Sequence, residues 1–550
     1  PLSKVIQDNM MSLQEAINQV HFPQDLQKLQ KARERLAFDE LFYIQLATLQ
    51  TRQKWQNKVL VATFQVDARK LEKFINSLSF KLTRAQQKVI KEIISDLQKG
   101  VPMNRLVQGE VGSGKTVVAA LAAYIAHLNG YKTLYMAPTE ILAFQHYDTL
   151  TNMLDPFGIK VGIYTGSKKH VKRSVGESEE GPDAQPQRMN MSEEVRRDTE
   201  PDFDGEPFGS ETSASSVESL RAELLSRTAG PAQVVVGTHA LLSEKLLTDN
   251  VGLIIVDEQQ RFGVEQRSLL RSKAKIPHFL TMTATPIPRT VALTLYGDLD
   301  LSIIDELPKG RQIVRTHVVS EKKRADSYKF IEGQIKTGGQ AYIITPLIEQ
   351  SETLLSVKAA KVEFEKLSKK IFPHLKLGLL HGRLKSKEKE QVVSDFKDKK
   401  IAILISTSVV EVGMDITNAT LMVIEGAERF GLAQLHQLRG RVGRGTKQSY
   451  CLLFPTMQDS SITARLKNLE KIYDGLKLAE LDLKIRGSGE IFGTRQSGRF
   501  ELKIASFSDL ELIEKTRNAA QKILNQDPSL SAYPALKEKM GTMTGSVMPD

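Results

Sequence analysis

The 550-residue sequence contains one cysteine, Cys451. An intramolecular disulfide and a cysteine-rich metal site are thereby excluded, and a reducing, cytosol-like compartment fits. No apolar run approaches the roughly 20 residues that a membrane span needs. The start, "PLSKVIQDNM", is too polar for a secretory signal, and the missing initiator methionine predicts processing or a fragment. Hydrophobic residues make up 41% and charged residues 26%, the balance of a soluble globular protein. The length suggests about three domains, each able to bury a core.

The net charge of +11 hints at a polyanionic partner, and it is unevenly placed. Positions 176–218 hold thirteen acids against three arginines, a net of −10, which leaves +21 on the rest. The wider stretch 168–230 is rich in Glu, Asp, Ser, Pro and Gly. It is too polar to offset the entropy of ordering and is predicted to be mostly disordered, with a helix near Ser216–Ser226 as its exit.

The first 80 residues read as a helical brace. Leu26, Leu29, Ala32 and Leu36 recur at helical spacing, as do Leu41, Ile44 and Ala47. Strand-like runs follow at "TLYMAP", "QVVVGTHA", "GLIIVDE" and "FLTMTATP", with helical segments between most of them. A second series runs through "QAYIITPLI", "LGLLHG", "IAILISTSV", "LMVIEGA" and "SYCLLF". This predicts an α/β protein with two tandem parallel-sheet domains joined by "DELPKGRQ", Asp305 to Gln312. The predicted divisions are 1–78, 79–305 (carrying the acidic insert), 306–456 and 457–550.

"GEVGSGKT", Gly109 to Thr116, lies between a strand-like run and a helical one, the context a phosphate-binding loop requires. Gly112 and Gly114 let the backbone curl so that N–H groups, including that of Ser113, face phosphate oxygens. The helix start adds positive potential. Lys115 neutralises β/γ charge, and the Thr116 hydroxyl is suited to Mg²⁺. A strand ending in two acids, as in "LIIVDEQQ", is by itself usually just solvated. Downstream of a phosphate loop, Asp257 is the expected Mg²⁺ ligand and Glu258 the group that polarises water. "QLHQLRGRVGRG" sets Gln437, Arg441 and Arg444 in a Q-x-x-G-R-x-x-R array. Guanidinium groups suit the charge on a transferred phosphoryl; the alternative is a basic loop on a phosphodiester backbone.

With "APTE", "VGTHA", "TATPIPRT" and "STSVVEVGMDI" added, the chain resembles a superfamily 2 helicase motor. "DEQQRFGVEQR", "IDELPKGR", "IEGAERFGLAQLHQLRGRVGRG" and "IRGSGEIFGTRQSG" are similar to the RecG family of branched-DNA translocases. The resemblance covers roughly Leu13 to Lys522, apart from the acidic insert. It implies two RecA-like lobes, an N-terminal helical segment and a C-terminal helical hairpin and loop. It implies ATP and Mg²⁺ as cofactors, and branched or double-stranded DNA as the partner.

The family roles fall on matching positions. Phe80 and Gln86 resemble base contacts. Thr139, Thr238 and His239 resemble backbone contacts of the first lobe, and Thr283 and Thr285 the element coupling hydrolysis to strand movement. His381, Arg383, Thr407 and Glu411 resemble tracking and coupling positions of the second lobe, and Gly413 and Asp415 residues near the nucleotide. Arg486, Arg495, Gln496 and Arg499 belong to the translocation element, for which a C-terminal packing cap is the plainer alternative. The resemblance further implies a monomer in the cytoplasm, bacterial or organellar, with single-stranded DNA-binding protein as another partner.

The sequence departs from the family in four respects. Gln260 stands where His is usual, and Thr417 where Pro is common. The acidic insert leaves close to the implied DNA side. The first dozen residues are too few for the wedge domain that precedes the helical linker in the family, so ATP hydrolysis on DNA is expected with poor fork selectivity. A transcription–repair coupling translocase and a non-hydrolysing DNA-binding scaffold are the alternatives.

Overall fold

The computed structural model describes residues 10–57, 63–166, 169–171, 232–243, 250–259, 262, 264–271, 277–288, 291–292, 294, 297–306, 312–346, 353–407, 416, 418–445, 447–457, 459–486 and 502–547. Two sheets organise the chain. The first has the order β4-β3-β5-β2-β6-β7-β1-β8. Its strands are β1 (Asn104–Gly109), β2 (Lys132–Met136), β3 (Val161–Tyr164), β4 (Lys169–Val171), β5 (Val234–Gly237), β6 (Val251–Val256), β7 (His278–Thr283) and β8 (Asp300–Ile304). Every pairing is parallel except that of β4 with β3. The second sheet, all parallel, runs β11-β12-β10-β13-β14-β9. Its strands are β9 (Arg315–Val318), β10 (Gln340–Ile344), β11 (Leu377–Leu380), β12 (Ile403–Ser406), β13 (Ala419–Glu425) and β14 (Tyr450–Phe454).

Unbroken apolar runs explain the central strands. "VVVG" and "VGLIIV" are buried along their whole length, as parallel strands covered on both faces must be. The helix Lys115–Leu128 covers one face of the first sheet in a core with Val107, Tyr135, Val236 and Ile255. Leu134, Val235, Ile254 and Phe279 point to a separate core on the other face. The second sheet is likewise covered on both faces. Four strands, β3, β4, β8 and β9, escaped the sequence reading, and β1 was only glimpsed there. Three of these, β4, β8 and β9, stand at or beside sheet edges and carry charged residues, which blurs the apolar signal.

The opening residues of the acidic stretch, Lys169–Val171, form an antiparallel strand with Gly162–Tyr164, satisfying backbone groups on the sheet edge. Positions 172–231, including the helix expected near Ser216, lie outside the described residues.

The N-terminal segment is helical at Leu13–His21, Leu26–Gln56 and Ala68–Ser77, each started by a side-chain cap from Ser12, Asp25 or Asp67. Along the long helix Leu26–Gln56 the first predicted stripe fades: Ala32 is buried, yet Leu26 is 82% exposed. The second holds, with Leu41, Ile44 and Ala47 all buried. This half of the helix is wrapped on several sides. One core joins it to the helices Leu510–Gln526 and Pro534–Val547. Another joins it to Ile287 and Val291 of the first lobe, and to Leu483, Ala505 and Phe507 near the C-terminus. Arg52 pairs with Asp300, and the Trp55 indole donates to the Pro102 carbonyl, pinning the helix to the first lobe.

Candidate active site

Parallel pairing sends the C-terminal ends of the strands to one edge of each sheet, where loops collect functional groups. On the first sheet Gly109, Thr139, Thr238, Asp257 and Thr283 lie at or just past those ends. On the second, His381 and Thr407 do the same. Register fixes the neighbours: Gln108 pairs with Thr283 and Met136 with Val256. The phosphate-binding loop therefore runs beside "TATP", and Asp257 donates its N–H to the Met136 carbonyl at 2.9 Å.

The loop leaves β1 at Gly109 and enters the helix Lys115–Leu128 through two residues with left-handed backbone, Gly112 (φ 81°) and Gly114 (φ 85°). A Cβ on Gly114 would stand 2.2 Å from the Gln86 amide nitrogen. Among the described residues no side chain caps the helix start, and the fully buried Ser113 hydroxyl has no hydrogen-bond partner. An uncapped helix start, a glycine cradle and an orphaned hydroxyl together fit a bound polyphosphate. Lys115 Nζ donates to the Gly109 and Glu110 carbonyls at 2.7 and 3.1 Å, across the mouth of the loop.

Gln86 is buried and held from both ends. Its Oε1 accepts from Thr83 N–H in a capping box, while Nε2 donates to the Ser113 carbonyl at 2.8 Å. It thus shapes the phosphate loop whatever it offers a base. Phe80, 46% exposed, presents its ring to solvent.

Asp257 is nearly buried and accepts from its neighbour's N–H and from His146 Nε2 at 2.8 Å. Burial pushes this carboxyl up, but the His146 hydrogen bond and charge, Lys115 and the Glu258 N–H outweigh it and hold it below the usual range. It is therefore an anion at neutral pH, as a cation ligand must be. His146 was not singled out from sequence. The signal was there: one imidazole on the buried stripe Leu142, Ala143, His146, Leu150, Leu154 of the helix Glu140–Leu154. Glu258 has left-handed backbone (φ 49°), uncommon outside glycine, and its Oε2 accepts from Ala284 N–H at 3.2 Å. That bond ties the acidic pair directly to "TATP".

The second lobe closes on this site. Burial lowers the Lys115 ammonium, Glu258 and Asp257 raise it, and Arg441 and Arg444 lower it again, so both guanidinium groups lie within electrostatic range of the lysine. Arg441 is buried and Arg444 half-buried. Gln437 Nε2 donates to Thr285 Oγ1 at 2.8 Å, and Thr285 N–H to Thr283 Oγ1 at 3.0 Å. His436 Nε2 lies 3.1 Å from Glu110 Oε1 in the phosphate loop. Among the described residues, no cluster of His, Cys, Asp and Glu could hold a metal unaided. The donors at hand, one carboxylate and the Thr116 hydroxyl, suit an Mg²⁺ that keeps phosphate and water ligands.

The remaining expected residues scatter. Thr139 caps the helix Glu140–Leu154 by accepting from Leu142 N–H at 3.4 Å. Thr238, Thr283, Thr407 and His381 are buried, whereas His239 and Arg383 are exposed. Burial, then Lys361 and Lys389, keep the His381 imidazole below its ordinary value. Arg486 ends the helix Gly475–Arg486. Gln260, Glu411, Gly413, Asp415, Thr417, Arg495, Gln496 and Arg499 lie outside the described residues.

The helices Ser460–Lys471 and Gly475–Arg486 follow the second sheet and dock back on it. Asp482 accepts from Leu432 N–H and pairs with Arg465, whose guanidinium also donates to the Phe430 carbonyl. Glu40 of the long helix accepts the consecutive N–H groups of Lys503, Ile504 and Ala505 at 2.7–3.1 Å.

The ATP-dependent DNA helicase RecG of Bacillus subtilis is 39% identical over 540 residues, 96% of this chain and 72% of that protein. This chain belongs to the RecG family. The RecG helicase of Synechocystis is 46% identical over 98% of the chain, which spans 60% of that relative's length. Family models match in chain order: the DEAD/DEAH box helicase at 83–183 and 191–294, the helicase conserved C-terminal domain at 322–446, and the C-terminal part of RecG domain 3 at 472–538. A solved structure of RecG bound to a three-way DNA junction superposes with a TM-score of 0.69 at 39% identity, covering 93% of this chain and 61% of the other. The two largely parallel sheets and the docked helical pair are thus the RecG motor fold. Among the described residues no helix is long and apolar enough to cross a membrane.

Proposed function

We propose that this chain is the motor of an ATP-hydrolysing, double-stranded DNA translocase that remodels branched DNA such as stalled forks and Holliday junctions. The observation that carries the reading is the convergence on Lys115: acids Asp257 and Glu258 on its own lobe, Arg441 and Arg444 from the other. A triphosphate in the loop would meet Lys115, the uncapped helix start and both arginines, an arrangement suited to charge on a phosphoryl group in transfer. Mg²⁺, held by Thr116 and Asp257, would supply further neutralisation of phosphate charge. Glu258 orients the attacking water. Gly109, Gly112, Ser113 and Gly114 cradle phosphates, Phe80 and Gln86 are the base contacts, and Gly413 and Asp415 are assigned to the nucleotide.

The DNA partner runs past the strand ends that carry Thr139, Thr238, His239, His381, Arg383 and Thr407, where His239 and Arg383 are exposed and Thr238, His381 and Thr407 are buried. Thr283, Thr285, Gln437 and Glu411 carry the nucleotide state to that rim. Arg486, Arg495, Gln496 and Arg499 engage the duplex beyond the motor. A cytoplasmic monomer working beside single-stranded DNA-binding protein completes the reading. The divisions 1–78, 79–305, 306–456 and 457–550 serve as brace, two lobes and translocation element.

The test is ATP turnover with linear duplex, single strand and a model fork. Branched or duplex DNA should stimulate turnover, and Lys115→Ala should abolish it. DNA binding with no stimulated turnover would turn the reading towards a scaffold.

A further inference from the structure

We infer that Glu110 is a positioning residue that latches the phosphate loop to the first turn of the helix Gly475–Arg486, so that the state of the loop is passed straight to the C-terminal helical pair. This rests on the motor reading above. The backbone and side chain of Glu110 face different ways. Its carbonyl accepts from Lys115 Nζ and from Ser113 N–H, which ties it to the phosphate-facing side of the loop. Its carboxylate reaches the other lobe, accepting at 3.1 Å from His436 Nε2 and at 3.1 Å from Gly475 N–H.

The far end is built around that carboxylate. Asp474 satisfies the next two N–H groups, of Leu476 and Lys477, and leaves that of Gly475 to Glu110. Glu110 thus acts as a helix cap supplied from another lobe, where a negative charge is favoured. Position 475 has no room for a side chain: a Cβ would stand 2.8 Å from His436 Nε2 and 3.3 Å from Glu110 Oε1. His436 is fixed in turn by Arg439, which bonds its Nδ1 at 2.7 Å and the carbonyls of Leu469 and Ile472. His436 also precedes Gln437, the residue that reaches Thr285. Any shift of Lys115 off the Glu110 carbonyl therefore acts on a residue whose other end holds the helical pair.

The experiment has two arms. Hydrogen exchange on the nucleotide-free chain should show residues 475–478 exchanging about tenfold faster in Glu110→Ala, with Glu110→Gln, which keeps an acceptor, in between. In the second arm, ATP consumed per strand displaced from a triplex should rise about fivefold in Gly475→Ala, where the loop sequence is intact, with the KM for ATP within twofold of wild type. Wild-type exchange at 475–478 in Glu110→Ala, or a wild-type ATP requirement in Gly475→Ala, overturns the latch. A wild-type chain with no DNA-stimulated turnover overturns the motor reading instead, and the exchange arm then still decides the latch.

Discussion

Gln437 of the second lobe donates to the Thr285 hydroxyl of the first across 2.8 Å, and Thr285 is one residue from Ala284, whose N–H is held by Glu258. The acid beside the nucleotide loop and the helix Leu432–Arg439, which leads into Arg441 and Arg444, are thus joined through two neighbouring residues of one segment. Removing either partner should lower DNA-stimulated kcat about fivefold to tenfold, the scale of one neutral hydrogen bond. The double variant Gln437→Ala/Thr285→Ala should lose little more than either alone, since both delete the same contact. Additive losses in such a cycle would show that the bond does not carry the coupling.

Arg441 and Arg444 act on Lys115 from the opposite lobe. Arg444→Ala should reduce kcat by about 10³-fold, the lower end for an arginine supplied to a phosphoryl group in transfer. Arg444→Lys should restore little, because a compact ammonium cannot reproduce a planar fork of donors. Nucleotide affinity, measured by titration of a fluorescent analogue, should fall much less than kcat.

Much of this site is legible in the sequence because its groups sit in contiguous phrases. "GEVGSGKT" and "LIIVDE" each announce a strand, a turn and a charge, and the fold only brings them side by side. Relations between phrases were not legible. His146 holds Asp257 from 111 positions away, and Glu110 meets Gly475 from 365 positions away. Nothing local marks such pairs except a polar residue on an otherwise buried stripe. The same holds for Glu40, whose role as acceptor of three backbone N–H groups follows from the packing of the long helix. Edge strands were missed for a different reason. A short strand with charged residues, such as "RTHV" at β9, is specified by its neighbour more than by its own pattern.

Glycine at 114 answers two demands at once, and substitution separates them. Gly114→Ala meets both a left-handed backbone and the Gln86 amide at 2.2 Å, so nucleotide binding should be lost. Gly130→Ala faces a similar backbone (φ 79°) with open space around it. That variant should cost only about 1–2 kcal/mol of stability and leave nucleotide binding intact. Equal effects on binding in the two variants would show that the contact with Gln86 is unimportant.

His278 gives the fold an acid limit. Burial lowers its imidazole to about 4, against a small upward pull from Asp96, and its Nδ1 accepts from Met103 N–H at 3.0 Å. Because the folded value lies below the unfolded one, the unfolded chain binds the extra proton first as pH falls. Stability from this group is complete above about pH 6.5 and is lost progressively down to about pH 4, on the order of 3 kcal/mol in all. His278→Asn keeps an acceptor for Met103 without a titrating ring. Its thermal midpoint should therefore fall less between pH 6.5 and 4 than that of the wild type; parallel slopes would remove His278 as the cause.

The acidic segment offers a test of the DNA partner through charge alone. Positions 176–218 carry a net of −10 on a chain whose remainder is +21. The segment departs from β4, on the edge of the first sheet beside β3. Negative charge tethered there would compete with phosphodiester for the basic groups that bind it, and such competition would be screened as salt rises. Deleting 172–229 retains the edge strand Lys169–Val171, so the sheet is not frayed. The deletion should tighten duplex binding about tenfold at 50 mM salt and by less than about twofold at 300 mM, where the Debye length has fallen to about 6 Å and screening is stronger. Fluorescence anisotropy across a salt series measures both limits. A constant affinity ratio at all salt concentrations would mean that the segment acts by shape rather than charge, and no difference at any salt would place it away from the DNA path.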